Sequence, residues 1–400
     1  MEHKNSFLKR VWADVSLDDI KHNYKVIRSH VAPETKIMAI VKADGYGHGA
    51  VQTARVLSEM GADMFGVSNL DEARQLRHGG ITSPILILGY TPYECAAELI
   101  EYDIMQTVYT YEIAKKFSDA ADWLGKKIKV HLKVDTGMSR LGMMFQDKSL
   151  DSDTINEAER IYKLPGLTFE GIFTHFAAAD DKSDFTKHQF DLFMYFCDRL
   201  RDKGIDVGMR HCCNSAGLIN YPEMHLDIVR PGIILYGLPP DNKLESIAKF
   251  GLRPAMELKT VISYIKEIRE NTSVSYGRIY TAPKCVRTAT LPIGYADGFS
   301  RIFSNGADVL INGVRASVIG RVCMDQCMVD VTDIPEVSTS SVVTIFGHDG
   351  DQFISACKIA EYLGTIGYEI ICQIGKRVPR VYILNGREAG YLNYIEGGIN

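Results

Sequence analysis

Between residues 14 and 240, short apolar runs alternate with longer amphipathic ones. The apolar runs fall at 37–41, 64–67, 85–88, 105–108, 128–134, 167–176, 208–212 and 225–229. Their length and β-branched content suit strands buried on both faces of a parallel sheet. Helical periodicity fills most of the intervals, at 17–31, 51–60, 71–78, 93–101, 111–124, 153–162, 185–203 and, more briefly, 216–220. Eight strand–helix alternations over this length predict a (β/α)8 barrel of the TIM type, with an open doubly wound sheet as the alternative.

Past Tyr236-Gly237-Leu238-Pro239-Pro240 the pattern changes. Alternating apolar and polar positions recur at 258–268, 285–293, 308–318, 327–331, 341–346 and 378–384, with one helical stretch at 354–363. Asn312-Gly313 and Asp349-Gly350 punctuate them as turns. This half predicts a mostly antiparallel β domain. The expected division is 12–240 for the barrel and 241–390 for the β domain, with residues 1–11 a candidate addition to the latter.

Composition narrows the class without naming it. Four hundred residues with 46% hydrophobic positions can bury a large core. A formal charge of −5 gives no basic footprint for nucleic acid, and no run reaches the length of a membrane span. The first residues lack the apolar core of a signal peptide. Nine cysteines, an odd number without paired spacing, read as reduced thiols of a cytoplasmic protein, and none has zinc-ligand spacing, so no metal is expected.

The densest chemistry lies at the end of the first barrel run, where Lys42 is followed by Gly45, Gly47 and Gly49. Alternate glycines let a ligand approach the backbone and tolerate positive φ. A lysine beside such a nest can hold a phosphorylated aldehyde as a Schiff base. The same stretch formally satisfies a dinucleotide fingerprint, Gly45-x-Gly47-x-x-Ala50. The next strand ends in Ser68-Asn69, however, where that reading wants an acid. Other runs also end in polar residues: Lys133, with Arg140 seven residues on, then His175, Asn214-Ser215 and Arg230, followed by Gly232-Ile233. Singly, His175 reads as a core histidine and Ser215 as a helix cap. Together they form the set expected at the C-terminal face of a barrel, whose last loops commonly bind phosphate.

Val41-Lys42-Ala43-Asp44-Gly45-Tyr46-Gly47-His48-Gly49 and Cys323-Met324-Asp325-Gln326, supported by Ser275-Tyr276-Gly277 and Gly294-Tyr295-Ala296-Asp297-Gly298, resemble the alanine racemase family over nearly the whole chain. The resemblance implies pyridoxal 5'-phosphate bound covalently to Lys42. Tyr46, Ser215, Gly232, Ile233 and Tyr368 would hold its phosphate, and Arg230 would face its ring nitrogen. Lys42 and Tyr276 would be the two bases, on opposite faces of the substrate. A free phenol is a poor base near neutrality, so the family takes Tyr276 to be assisted through His175 and Arg230. Arg140 and Met324 would contact substrate, Lys133 would be carbamylated, and Tyr295, Arg301, Arg321 and Ile366 would line an entrance corridor. The resemblance further implies a homodimer sharing its active sites, with D-alanine made for peptidoglycan. Decarboxylation of a basic amino acid, a cofactor-carrying regulatory protein and a dinucleotide oxidoreductase are the competing readings. The pocket implied by Met324 and Arg140 disfavours the first. The presence of a β domain carrying Tyr276 disfavours the second.

Overall fold

The computed structural model of the chain describes residues 8–181 and 184–399. Its first strand, β1 (Val11–Ser16), joins the sheet built by the second half of the chain. It pairs antiparallel with a strand at 256–261 and parallel with one at 380–384. Residues 12–16, expected with the barrel, are therefore part of the β unit. The cause is hydrogen bonding across more than two hundred residues, which local patterning does not register.

The parallel strands follow: β2 (Lys36–Ile40), β3 (Met64–Val67), β4 (Ile85–Ile87), β5 (Ile104–Val108), β6 (Ile128–Asp135) with its short partner β7 (Met143–Met144), β8 (Leu167–Phe173), β9 (Met209–His211) and β10 (Ile228–Val229). They pair in chain order from β2 onward, and β10 returns to pair with β2. Asp227 N–H donates to the Arg210 carbonyl at 3.1 Å and Arg230 N–H to that of Cys213 at 3.0 Å, bridging the last gap. Every residue of β3, β4 and β5 is buried, as a barrel wall covered by helices requires. The helices begin where short polar side chains cap them. Asn69 Oδ1 accepts from Glu72 N–H ahead of helix Leu70–His78, and Thr110 does the same for Tyr111–Trp123.

The remaining strands are β11 (Met256–Val261), β12 (Tyr264–Ile268), the hairpin β13 (Ser273–Val274) and β14 (Tyr280–Thr281), β15 (Val286–Leu291), β16 (Asp308–Ile311), β17 (Val314–Ile319), β18 (Cys327–Asp330), β19 (Val342–Asp349), β20 (Gln352–Ile354), β21 (Arg380–Leu384), β22 (Arg387–Asn393) and β23 (Gly398–Ile399). All their pairings are antiparallel apart from that of β1 with β21. The run expected at 258–268 divides because Ile262 N–H bonds Ser341 and Ser263 N–H bonds Thr290, so the chain changes partners mid-run. At Asn312-Gly313 both φ values are positive, 52° and 75°, which gives the twist of a two-residue hairpin.

Contacts group residues 21–45 and 50–235 into one compact unit. The described residues up to Ile20, Tyr46–Gly49 and everything from Tyr236 form the other. All nine cysteines are free thiols. No helix among the described residues is long and apolar enough to cross a membrane.

Candidate active site

The chain leaves β2 through Val41, whose N–H is held by the Gly66 carbonyl at 3.0 Å, and reaches Lys42. It then makes a left-handed turn, with φ values of 51°, 54°, 61° and 52° at Ala43, Asp44, Gly45 and Tyr46. Left-handed backbone costs about 1–2 kcal/mol at each non-glycine residue, so neighbouring groups must hold it. Gly45 N–H donates to the Val41 carbonyl at 2.8 Å, and Asp44 Oδ1 accepts from Ala50 N–H at 2.9 Å. Glu72 Oε1 accepts from Ala43 N–H at 2.7 Å while its Oε2 accepts from Ser68 N–H at 2.7 Å.

Inside the barrel, Arg230 is 3% exposed and makes four hydrogen bonds through Nη1 and Nη2. Nη1 donates to His211 Nδ1 at 2.9 Å. Nη2 donates to the carbonyls of Thr174 and Cys212, both at 2.9 Å, and to His175 Nδ1 at 3.2 Å. The guanidinium lies 5.4 Å over the Phe173 ring, which stacks on His211 and carries Lys133 Nζ at 5.5 Å. His211 Nε2 in turn meets His131 Nδ1 at 2.9 Å. Gly171 makes room for this ring, since a Cβ there would lie 2.7 Å from it.

The ends of these strands are rich in cations, of which Lys133 and Arg230 are buried. Burial, then Arg230, Arg140, Lys133 and Lys42, hold His175 well below the ordinary histidine range. Burial, aided by Arg140 and Arg230, lowers the buried Lys133 to about 8, with Asp135 acting in the opposite sense. Burial also lowers Arg230, to about 10. Asp135 organises the next loop, its Oδ1 accepting the N–H groups of Gly137, Met138 and Ser139 within 3.0 Å just ahead of Arg140. Ser215 Oγ accepts from Gly232 N–H at 2.9 Å, which ties two further loop residues together and leaves the hydroxyl proton free to donate. Lys42, Lys133, Arg140, His175 and Arg230 thus act on one another electrostatically.

The β unit carries the other residues singled out in the sequence. Tyr46 lies 5.0 Å from the Tyr236 ring and 6.0 Å from that of Tyr368. The loop after Tyr46 is locked. At Gly47, φ is +82° and a Cβ would stand 2.2 Å from the Ile371 carbonyl, while its own carbonyl accepts from the buried Arg380 at 2.9 Å. Ser275 Oγ donates to the Arg321 carbonyl at 2.7 Å. Two of the recognised motifs mesh through backbone, Tyr295 N–H to Cys323 and Ala296 N–H to Met324, both at 3.1 Å. Tyr276 is 70% exposed and Met324 53%. Tyr295 and Ile366 are also exposed.

Sequence reasoning missed several supports: His131, His211, Thr174, Glu72 and Asp297. Asp297, fully buried, binds Arg10 at 2.5 Å and Arg377 at 2.8 Å, which makes it a clamp. A local signal existed for two of these, because His131 and His211 stand in apolar strands, where a polar side chain needs a partner.

Sequence models of the alanine racemase N-terminal domain and C-terminal domain match residues 15–240 and 255–382. The alanine racemase of Methanococcus maripaludis is 46% identical over 374 residues, covering 93% of this chain and 98% of that one. The Clostridium difficile 630 alanine racemase structure superposes with a TM-score of 0.91 at 39% identity, covering 98% of this chain and 100% of that one. The Bacillus anthracis alanine racemase, solved with bound L-Ala-P, gives 0.89 at 36% identity, covering 98% and 99%.

Proposed function

The chain belongs to the alanine racemase family, and from that premise we propose that it interconverts L-alanine and D-alanine with pyridoxal 5'-phosphate. The observation that carries this reading is the set of four cations, Lys42, Lys133, Arg140 and Arg230, around one neutral histidine. Such a cluster, with Lys133 and Arg230 buried, calls for anions, and a phosphate and a substrate carboxylate are anions. The donor set fits the cofactor. Arg230 commits Nη1 and Nη2 to the protein and has no described partner at Nε, leaving a donor for a ring nitrogen. Ser215 has a hydroxyl proton to give a phosphate oxygen, beside Gly232 and Ile233. Tyr46 and Tyr368 would complete the phosphate site.

When bound, pyridoxal phosphate supplies an electron sink that makes the α-proton of the attached amino acid removable. Lys42 holds the cofactor and moves the proton on one face of the α-carbon, and Tyr276 moves it on the other. Because racemisation requires removal on one face and return on the opposite one, two bases are the simplest design. Arg230 would present a cation to the ring nitrogen, which would disfavour protonation there and restrain side reactions such as transamination. Its bond to His175 Nδ1 leaves the imidazole proton on Nε2, where it can serve Tyr276. Arg140 pairs with the substrate carboxylate, and Met324 closes the pocket to large side chains. Carbamylation of Lys133 would turn a repelling neighbour of Arg140 into an attracting one. Its depressed pKa supports this, because the neutral amine is the form that takes up CO2.

The strong exposure of Tyr276 and Met324 in a single chain supports a homodimer in which each completes the partner's site. Tyr295, Arg301, Arg321 and Ile366 would line the approach. The enzyme would work in the cytoplasm and supply D-alanine for peptidoglycan. Incubating purified protein and cofactor with L-alanine and following D-alanine by chiral chromatography tests the reading. Absence of D-alanine from cofactor-loaded protein would overturn it.

A further inference from the structure

We infer that Glu72 is a positioning residue for Lys42, an inference that rests on the covalent role proposed for that lysine. Lys42 Nζ reaches a fixed height only if the backbone that follows it is fixed, and that backbone is a left-handed turn through Ala43, Asp44 and Gly45. Such a turn relaxes unless outside groups over-determine it. Glu72 is placed to do so. It lies in the first turn of helix Leu70–His78, where a carboxylate is favoured by the helix's free N–H groups.

The two oxygens of Glu72 have different tasks. Oε1 accepts from Ala43 N–H, the amide directly after Lys42, and Oε2 accepts from Ser68 N–H, the amide directly after β3, both at 2.7 Å. Strands β2 and β3 are neighbours, with Ile40 opposite Gly66. One carboxylate therefore stitches together the exits of two adjacent barrel strands, with Lys42 at one of the two stitches. Both bonds are charge-assisted and short. A carboxylate suits the place because both partners are donors. A glutamine of the same shape can accept from one N–H only, and its NH2 group would face the other.

The test uses cofactor-loaded protein. Hydroxylamine attacks the carbon bound to the Lys42 nitrogen, the lysine amine leaves, and the cofactor is carried off as an oxime. The visible absorption band then decays at a rate set by how well that link is held. Glu72→Gln should lose the band about tenfold faster than wild type, the factor that one charge-assisted hydrogen bond is worth. Glu72→Asp, too short to reach both amides, should also be faster, which keeps the test open if the glutamine variant folds poorly. Thr110→Ala controls for stability. It removes the cap of helix Tyr111–Trp123 without touching Glu72 or Ala43, so it should lower the melting temperature while the decay rate stays at the wild-type value. Wild-type decay in both Glu72 variants overturns the inference. Equal acceleration in Thr110→Ala also overturns it, since a general loss of stability would then explain the effect. A wild-type protein with no such band overturns the proposed function first, and this inference with it.

Discussion

Arg230 Nη1 donates to His211 Nδ1 at 2.9 Å, and because a guanidinium has no acceptor, that bond decides which nitrogen of His211 is bare. His211 must carry its proton on Nε2 and donate it to His131 Nδ1, so His131 also carries its proton on Nε2. One donor-only side chain thus sets two tautomers in sequence. Burial first, then the Arg230 charge, push His131 down to about 3 and His211 well below its ordinary value. Nitrogen-15 spectra of histidine-labelled protein should show both rings as the neutral Nε2–H tautomer, without titration between pH 8 and 5. The unfolded chain binds protons at these histidines near pH 6.5 and the folded one does not. Their contribution to stability is therefore present above that pH and lost as pH falls below it. A charged imidazole at pH 6 would refute the arrangement.

Lys133 is a base of the same charge type, depressed by the same causes, but with a different window. Unfolded, it keeps its proton to about 10.5, and folded, it releases it near 8. Between those values the unfolded chain binds more protons, so folding stability should rise with pH in CO2-free buffer. Lys133→Met should flatten this rise. Bicarbonate should also abolish it in the wild type if the amine becomes a carbamate, and urea denaturation at pH 8 and pH 10 with and without bicarbonate measures both effects.

Asp297 is fully buried between Arg10 and Arg377, which are themselves partly open to water. Asp297→Asn should cost about 3 kcal/mol in denaturant titrations. That is the low end for breaking a buried pair, because both guanidiniums can turn to solvent. A loss of activity without loss of stability would contradict the clamp.

Lys42→Ala and Tyr276→Ala should each be nearly inactive. Refolded together, they should regain activity if each site takes its two bases from different chains. Each mixed dimer then holds one site with both bases and one with neither. Mixed dimers verified by a mass tag but without activity would mean that both bases come from one chain.

Much of this was legible because barrel strands announce themselves locally. The run at 64–67 is β3 to the residue, Lys133 lies near the end of β6, and Lys42, His175 and Arg230 follow shortly after the ends of β2, β8 and β10. What was not legible depends on distant partners. The turn after Lys42 contains Asp44, a residue that tolerates positive φ, but also Ala43, which has no such preference, and the two are held there by bonds to Ala50 and Glu72. His131 and Gly171 make sense only as a pair facing each other across β6 and β8. The two halves of 258–268 separate because their hydrogen-bond partners differ, which no periodicity reveals.

Strand β1 is made long before either of its partners. Val15 waits for Met256, 241 residues later, and Ala13 for Arg380, still further on. At about 5–20 residues per second, a ribosome needs tens of seconds or less to supply those partners. The whole parallel ring, complete by Val229, emerges in the meantime. Throughout that interval Val11–Ser16, with its Trp12 and Val15 that end buried, lacks both strands it will pair with.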